Sequence, residues 1–124
     1  MKILLDDSKL IYMQIADSIE DDILNGSLKE EEQVYSTNQF AKLYGINPAT
    51  AAKGINLLVD EGILYKKRGI GMFVVTGAKD VIIDKRKKQF VEEYISKLIN
   101  EANKLNITKE ELINLIKAYE RGER

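Results

Sequence analysis

The sequence lacks two side chains on which much protein chemistry depends, because it contains neither cysteine nor histidine. Without thiols it can form no disulfide and has no thiol nucleophile. Without imidazole it also lacks the usual partners of cysteine in zinc sites and the commonest general acid and base. These absences exclude most classes of enzyme. We therefore expect no catalytic residues, no metal and no cofactor.

Long apolar runs are also missing, since no stretch of about eighteen apolar residues occurs. The N-terminus turns acidic at Asp6 and Asp7, too early for the apolar part of a signal peptide. We therefore expect a cytoplasmic protein with no membrane partner. A chain of 124 residues can bury the core of one ordinary domain, or of one small domain with an appendage.

Net charge is close to zero, at −1, although proteins that bind DNA gain most of their non-specific affinity from Lys and Arg. The charges are unevenly distributed. Residues 1–35 hold three basic and nine acidic side chains, residues 36–76 hold five and two, and residues 77–124 hold eleven and nine. The middle of the chain is therefore basic, which suits a DNA-binding dimer and equally suits an ordinary solvated surface.

A first helix is predicted over residues 11–24, where apolar residues recur at helical spacing before the stop signal Asn25-Gly26. Its acidic residues mostly fall on the opposite face, and we interpret them as a solvated surface rather than a metal site.

Two further helices are predicted around a short break at Gly45. Ser36 and Gln39 have the spacing of a capping box, which marks the start of the second helix. Asn47 can cap a third helix whose first position is Pro48. The third helix ends at residues 61–62 and presents Ala51, Ile55 and Leu58 inward. Two helices joined by a tight glycine turn indicate a helix-turn-helix.

A β-hairpin is predicted next, because residues 63–65 and 72–75 are β-prone and flank a basic turn that contains two glycines. Such a turn is suited to a close approach to phosphates or to a narrow groove. It is not a nucleotide-binding loop, since the strand-to-helix setting and a further glycine are missing.

The rest of the chain is predicted as a linker over residues 77–83 followed by two helices within residues 84–124. These helices carry a wider apolar arc than they can bury against each other, so a second subunit is expected to cover it. A drug-sized effector needs a cavity of about 300–1,000 Å³, which two helices could form only between subunits, so an unidentified effector stays open as a partner. The residues expected to form the dimer interface are Phe90, Val91, Tyr94, Ile95, Leu98, Leu112, Ile116 and Tyr119.

Several motifs stand in the order in which they occur in GntR transcription regulators. They are the amphipathic first helix, the serine at the start of the second, residues 45–50 (GINPAT), residues 61–64 (EGIL) and residues 68–74 (RGIGMFV). Residues 9–75 thus resemble the GntR DNA-binding domain. The Asn-Pro-x-Thr start of the third helix, with IYMQI in the first, resembles the short YtrA-like branch, whose C-terminal helix pair dimerises.

The resemblance implies a fold that is mainly α with a small β-hairpin: a winged helix-turn-helix over residues 1–76, then the linker, then a dimerisation segment over residues 84–124. The second helix of a helix-turn-helix enters the major groove of DNA by its N-terminal end. The residues expected to contact DNA are Ser36, Thr37, Asn38, Asn47, Pro48, Ala49, Thr50, Lys53, Lys67, Arg68, Gly69 and Gly71.

This chain departs from the family pattern at two of these positions. Where the family usually has Leu-Pro-Ser and then an arginine two residues on, the chain has Val34-Tyr35-Ser36 and then Asn38. Each subunit therefore lacks one cation that commonly contacts DNA. Ala49 stands where a polar residue is frequent, which shifts the expected readout to Asn47, Thr50, Lys53 and the wing.

The function expected from these features is that of a sequence-specific DNA-binding regulator, a homodimeric repressor acting on a palindromic operator. Two other functions are compatible with a small chain of this composition. A winged-helix protein-interaction module with weakened or lost DNA binding is one, but it has no need of Lys53 and the basic run at residues 66–68. A small hydrolase using Asp21, Asp22 or Glu61 is the other, and the sequence shows no converging carboxylate pair and no nucleophile for it.

Overall fold

The computed structural model describes residues 10–122, which form two compact units divided between Asp84 and Lys85. The first unit contains three helices, a hairpin and the start of a fourth helix, and the second contains the rest of that helix and the helices that follow it. None of the described helices is long and apolar enough to cross a membrane. The elements in chain order are α1 (Ile11–Leu24), α2 (Thr37–Tyr44), α3 (Pro48–Asp60), β1 (Leu64–Lys67), β2 (Gly71–Val74), α4 (Ala78–Phe90), a π-helical turn (Val91–Ile95), α5 (Ser96–Lys104) and α6 (Lys109–Glu120).

The starts of α2 and α3 agree with the local signals in the sequence. The amide of Gln39 donates to Oγ of Ser36 at 3.1 Å, and the amide of Ser36 donates to Oε1 of Gln39 at 2.7 Å, which completes a capping box. Helix α2 ends at Gly45, whose φ of 62° is left-handed. Asn47 then caps α3, with Pro48 in the first turn.

The core of the first unit lies where α1, α2, α3 and the hairpin meet. Helix α1 packs against α3, and α3 packs against both α2 and β1. Leu64 of β1 and Val74 of β2 are paired across the hairpin, and both side chains are buried in this core. The largest fully buried side chains are Phe40, Ile15, Ile19, Ile55, Leu58, Ile63, Leu64, Ile82, Glu20 and Val74.

Strands β1 and β2 form an antiparallel pair in which Tyr65 faces Phe73 and Lys67 faces Gly71. The chain just before α2 runs along the free edge of β2. The amide of Glu31 donates to the carbonyl of Val74 at 2.8 Å, and the amide of Val34 donates to that of Met72 at 2.9 Å. Strand β2 is therefore hydrogen-bonded along both of its edges, which steadies a two-stranded ribbon that would be marginal alone.

The linker expected over residues 77–83 is wrong, because α4 begins at Ala78 rather than near Asp84. Ala78 and Ile82 are fully buried in the core of the first unit. Four residues apart, they lie on one face of the helix, and this short apolar pattern is concealed by the polar residues around it. Gly77, with φ of 85°, makes the turn that precedes the helix.

The second unit consists of α5 and α6 together with the end of α4 and the π-helical turn. Thr108 and Glu111 form a capping box at the start of α6. Within the described part of this unit, Ala102 is buried, whereas most large apolar side chains are exposed. An open apolar groove of about 420 Å³ lies between α5 and α6. Two helices of this length evidently do not bury their own apolar surface.

Candidate nucleic-acid interface

The N-terminal ends of α2 and α3 carry most of the residues expected to contact DNA. Asn38, Asn47, Pro48 and Ala49 are exposed, as is Ser36, while Thr37 and Thr50 are half-buried. A helix N-terminus presents unpaired backbone amides and a positive dipole, which favour phosphate. Both ends are thus accessible and chemically suited to a polyanion.

The cap of α3 already uses part of Asn47. Its Oδ1 accepts a hydrogen bond from the amide of Ala49 at 2.8 Å. The side-chain NH₂ of Asn47 is the half that can still donate to a phosphate or to a base edge. Capping of α3 and contact with DNA, both of which are expected of Asn47, are therefore compatible.

Lys53 is exposed on α3, one turn beyond its N-terminal end, and its ammonium has a partner within the protein. The Nζ atom lies 4.2 Å from the centre of the Tyr12 ring on α1, a cation–π contact. This contact holds the long side chain in one direction while leaving its charge in place. The sequence does not indicate that Tyr12 contacts Lys53, because the helical spacing of Tyr12 in α1 predicts only a residue that faces the core.

The tip of the hairpin is basic and exposed at Lys66, Lys67 and Arg68. Lys67 does not extend freely, since its Nζ lies 4.2 Å from the ring centre of Phe73 and 5.8 Å from that of Tyr65. The two rings lie opposite each other, with their centres 6.0 Å apart. The outward face of the wing is thus an aromatic pair with a lysine folded over it.

The glycines expected at the wing have separate roles. Gly69 has φ of 77° and makes the turn that no other residue type makes as readily. Gly71, with φ of 148°, leaves room for a neighbour, because a Cβ there would lie 2.6 Å from Nε2 of Gln33. That Nε2 donates to the carbonyl of Ile70 at 3.1 Å. Gln33 therefore contacts the tip of the wing, and no pattern along the chain indicates this contact.

A second polar contact lies at the base of the wing. The carboxylate of Glu31 accepts hydrogen bonds from the hydroxyl of Tyr65 and from Oγ1 of Thr76, the latter at 2.6 Å. The hydroxyls of Thr76 and Tyr65 hold the pKa of Glu31 below its ordinary value. The same bond to Glu31 raises the pKa of Tyr65. Glu30 adds a contact by accepting from the amide of Gly77 at 2.9 Å.

The residues expected at a dimer interface lie in the second unit and at the end of α4. Seven of the eight are exposed, among them Phe90 at 53 % and Tyr94 at 61 %, and Leu112 is half-buried. The rings of Phe90 and Tyr94 lie 5.5 Å apart. Leu98, Leu112, Ile116 and Tyr119 line the groove between α5 and α6.

Three helices, with a tight turn between α2 and α3 and a basic hairpin behind them, define a winged helix-turn-helix protein. Residues 11–74 match the family described as bacterial regulatory proteins, gntR family. The chain belongs to the GntR family.

Known relatives agree over most of the chain. It is 30% identical over 115 residues to YhcF of Bacillus subtilis, an uncharacterized HTH-type transcriptional regulator, with 93% of each chain covered. It is 29% identical over 107 residues to the transcriptional repressor YtrA of Bacillus subtilis, covering 86% of this chain and 82% of YtrA. This similarity along nearly the whole length identifies the YtrA-like branch.

Solved structures show the same architecture. A GntR-family regulator from Bacteroides thetaiotaomicron superposes with a TM-score of 0.77 at 35% identity, covering 90% of this chain and 96% of that one. BusR of S. agalactiae, solved with its busAB-promotor DNA, superposes with a TM-score of 0.57 at 26% identity, covering 87% of this chain and 54% of BusR. The protein is a DNA-binding transcriptional regulator and not an enzyme.

Proposed function

We propose that the protein is a homodimeric transcriptional repressor in which each subunit reads one half of a palindromic operator. One observation carries this proposal: the exposed, capped N-termini of α2 and α3 and the basic wing all belong to one compact unit. BusR, a structural relative, is known with promoter DNA, and YtrA, a relative in sequence, is a repressor. Repression requires a cytoplasmic location, where the DNA of a bacterium lies.

Helix α3 is proposed as the recognition helix. The start of α3 offers the NH₂ of Asn47 and the hydroxyl of Thr50, which can form hydrogen bonds to base edges, and the methyl group of Ala49, which can contact a thymine methyl. Lys53, held by Tyr12 in one direction, is proposed to contact a phosphate. A side chain already ordered by a ring loses less entropy when it binds.

Helix α2 is proposed to contact the backbone of the DNA rather than its bases. Oγ of Ser36 already accepts a hydrogen bond from the amide of Gln39 in the capping box. Its proposed contribution is therefore to fix the start of α2, whose remaining backbone amides can face a phosphate. Thr37 and Asn38 then supply short, neutral donors there. Neutral groups position a protein on the duplex and add little salt-dependent affinity.

The wing is proposed to supply affinity that does not depend on sequence. Lys67 and Arg68, with Gly69 and Gly71 beside them, can approach phosphates or a narrow minor groove. Replacing both cations by Ala should therefore weaken binding to operator and random duplex alike. If only binding to the operator became weaker, the wing would contact base edges instead.

The exposed apolar residues of the second unit are proposed to form the dimer interface. Apolar surface of this extent is uncommon on a monomer, and a two-fold dimer is the commonest way to cover it. Two recognition helices related by a two-fold axis require half-sites about one helical turn of DNA apart, which is why the operator should be palindromic. On this proposal, winged helix and dimerisation segment divide near residue 84.

The test is a selection of bound fragments from random duplex DNA, followed by a salt titration on the enriched sequence. Lys53→Gln should weaken binding and reduce the slope of log affinity against log salt by about 0.9 for each lost phosphate contact. Lys104→Gln makes the same change of charge at the end of α5 and should leave the slope unaltered.

Thr50→Val gives a second readout, since it keeps the shape of the side chain and removes its hydroxyl. It should weaken operator binding more than random binding. If no sequence were enriched and binding showed no dependence on salt, the proposed function would be wrong, and a winged-helix module that binds protein would be the better reading.

A further inference from the structure

We propose that Glu31 is a positioning residue for DNA binding, which acts by fixing the wing in its DNA-contacting orientation. This inference rests on the proposed function, because it assumes that the wing contacts DNA. It concerns a side chain that lies outside the recognition helix and outside the wing itself. The chain before α2, where Glu31 lies, has the composition of an ordinary polar connection.

The backbone at Glu31 is the first observation. Its φ is 63°, in the left-handed region that residues other than glycine seldom occupy, and glutamate is not one of the types enriched there. A residue keeps such a conformation when its surroundings hold it, and these positions cluster at functional sites. Here the amide of Glu31 donates to the carbonyl of Val74 at the end of β2.

The side chain is the second observation, and it is independent of the first. One carboxylate accepts from the hydroxyl of Tyr65 in β1 and from Oγ1 of Thr76 just beyond β2. Both strands of the wing are therefore joined to a single ionised group. Hydrogen bonds to an ionised acceptor are stronger than those between neutral groups.

Gln33 extends the same support toward the tip. Its Nε2 donates to the carbonyl of Ile70 in the turn, and it occupies the space that the missing side chain of Gly71 leaves open. Glu31 at the base and Gln33 at the tip thus hold the wing by side chains from one segment. Of the two, Glu31 bridges both strands, so we assign it the larger effect.

Neighbouring Glu32 offers a matched control. Its carboxylate accepts from the amide of Lys29 at 3.4 Å, within its own segment of the chain. Glu31→Ala and Glu32→Ala each remove one negative charge at adjacent positions. A general effect of charge on DNA affinity is therefore shared by both variants, whereas positioning of the wing is affected by one.

The first measurement is the affinity of each variant for the selected operator and for random duplex. If loss of Glu31 leaves the wing correctly placed for only a fraction of the time, the apparent affinity falls by that fraction. We expect Glu31→Ala to bind both duplexes about two- to fivefold more weakly, and Glu32→Ala to bind no more weakly than wild type. Equal affinities for the two variants would overturn the proposal.

The second measurement asks whether the effect passes through the wing. In a Lys67→Ala/Arg68→Ala background the wing has lost its cations, so adding Glu31→Ala should weaken binding no further. Tyr65→Phe, which removes one hydroxyl and no charge, should reproduce part of the loss and should not add to that of Glu31→Ala. Full additivity in either combination would contradict the proposed role.

The third measurement needs no DNA, and so separates failure of this inference from failure of the proposed function. In the free protein, hydrogen exchange at the amides of Val34 and Val74 should be several times faster in Glu31→Ala than in Glu32→Ala. The pKa of Tyr65 should return toward its ordinary value in the same variant. Unchanged exchange and an unchanged pKa would refute the positioning role even if wild type bound no DNA.

Discussion

Gly54 is the position in α3 at which an added methyl group should most clearly disturb the packing of that helix against α1. It is buried in α3 against α1. A Cβ at this position would lie 2.6 Å from the carbonyl oxygen of Tyr12 and 3.3 Å from Cβ of Ile15. The nearer atom belongs to the backbone and cannot rotate away. Gly54→Ala should therefore separate α1 from α3.

The size of the effect follows from two opposing contributions. Adding a methyl group to a packed core typically costs about 1–3 kcal/mol. Alanine in place of glycine inside a helix is favourable by about 1 kcal/mol. Since the contact is with backbone, we place the steric cost in the upper part of its range and expect a net decrease of about 1–2 kcal/mol in the free energy of unfolding.

The assay is urea unfolding followed by circular dichroism, with Asn56→Ala as the control. Asn56 is exposed on the same helix, so its replacement improves helix propensity without a clash and should leave stability unchanged or slightly higher. Under conditions where Gly54→Ala is folded, DNA binding should also be weaker, because α3 positions the proposed DNA contacts Asn47, at its N-cap, and Lys53. If Gly54→Ala were as stable as wild type, the close approach of α1 and α3 would be wrong.

Three further predictions concern the dimer, the DNA contact of α2 and pH. Tyr94→Glu should shift the mass measured by light scattering from dimer to monomer, whereas Lys97→Glu in the same helical region should not. Because Tyr94 is 61 % exposed in the isolated subunit, its replacement is not expected to impair folding. Asn38→Arg should tighten DNA binding and steepen the salt dependence by about 0.9 per regained phosphate contact; an unchanged slope would mean that position 38 does not face DNA. Because the pKa of Glu31 is lowered, its ionised form stabilises the fold above the unfolded pKa of about 4.3, and this contribution disappears as pH falls through the lower folded value. Unfolding measured from pH 6 to 3 should therefore depend less on pH in Glu31→Gln than in Glu32→Gln, and parallel curves would refute it.

The dimer test also depends on where α4 begins. A chain cut at Thr76 would lose Ala78 and Ile82, which are buried in the core of the winged helix. It would therefore be destabilised for a reason unrelated to dimerisation. Point substitutions in the second unit avoid this difficulty, and a truncation, if used, should follow Asp84.

Features that depend on neighbours within about one helical turn could be predicted from the order of the residues alone. The capping boxes at Ser36 and Thr108, the Asn47 cap and the glycine stop at Gly45 all join groups two to four residues apart. Such contacts form whenever the local chain is helical, so their residue types can be read in order. With the β-prone runs of the hairpin, they were enough to predict the winged helix-turn-helix.

Contacts that join distant parts of the chain could not be predicted in this way, because they form only when the helices and strands pack together. The start of α4 was hidden because its short apolar pattern becomes meaningful only when the core of the first unit covers Ala78 and Ile82. The partners of Lys53 and Glu31 were hidden for a related reason. Tyr12 comes close to Lys53, and Tyr65 to Glu31, only when the chain has packed. The position of an ammonium over a ring, or of a carboxylate beside a hydroxyl, depends on how helices and strands meet and not on spacing along the chain.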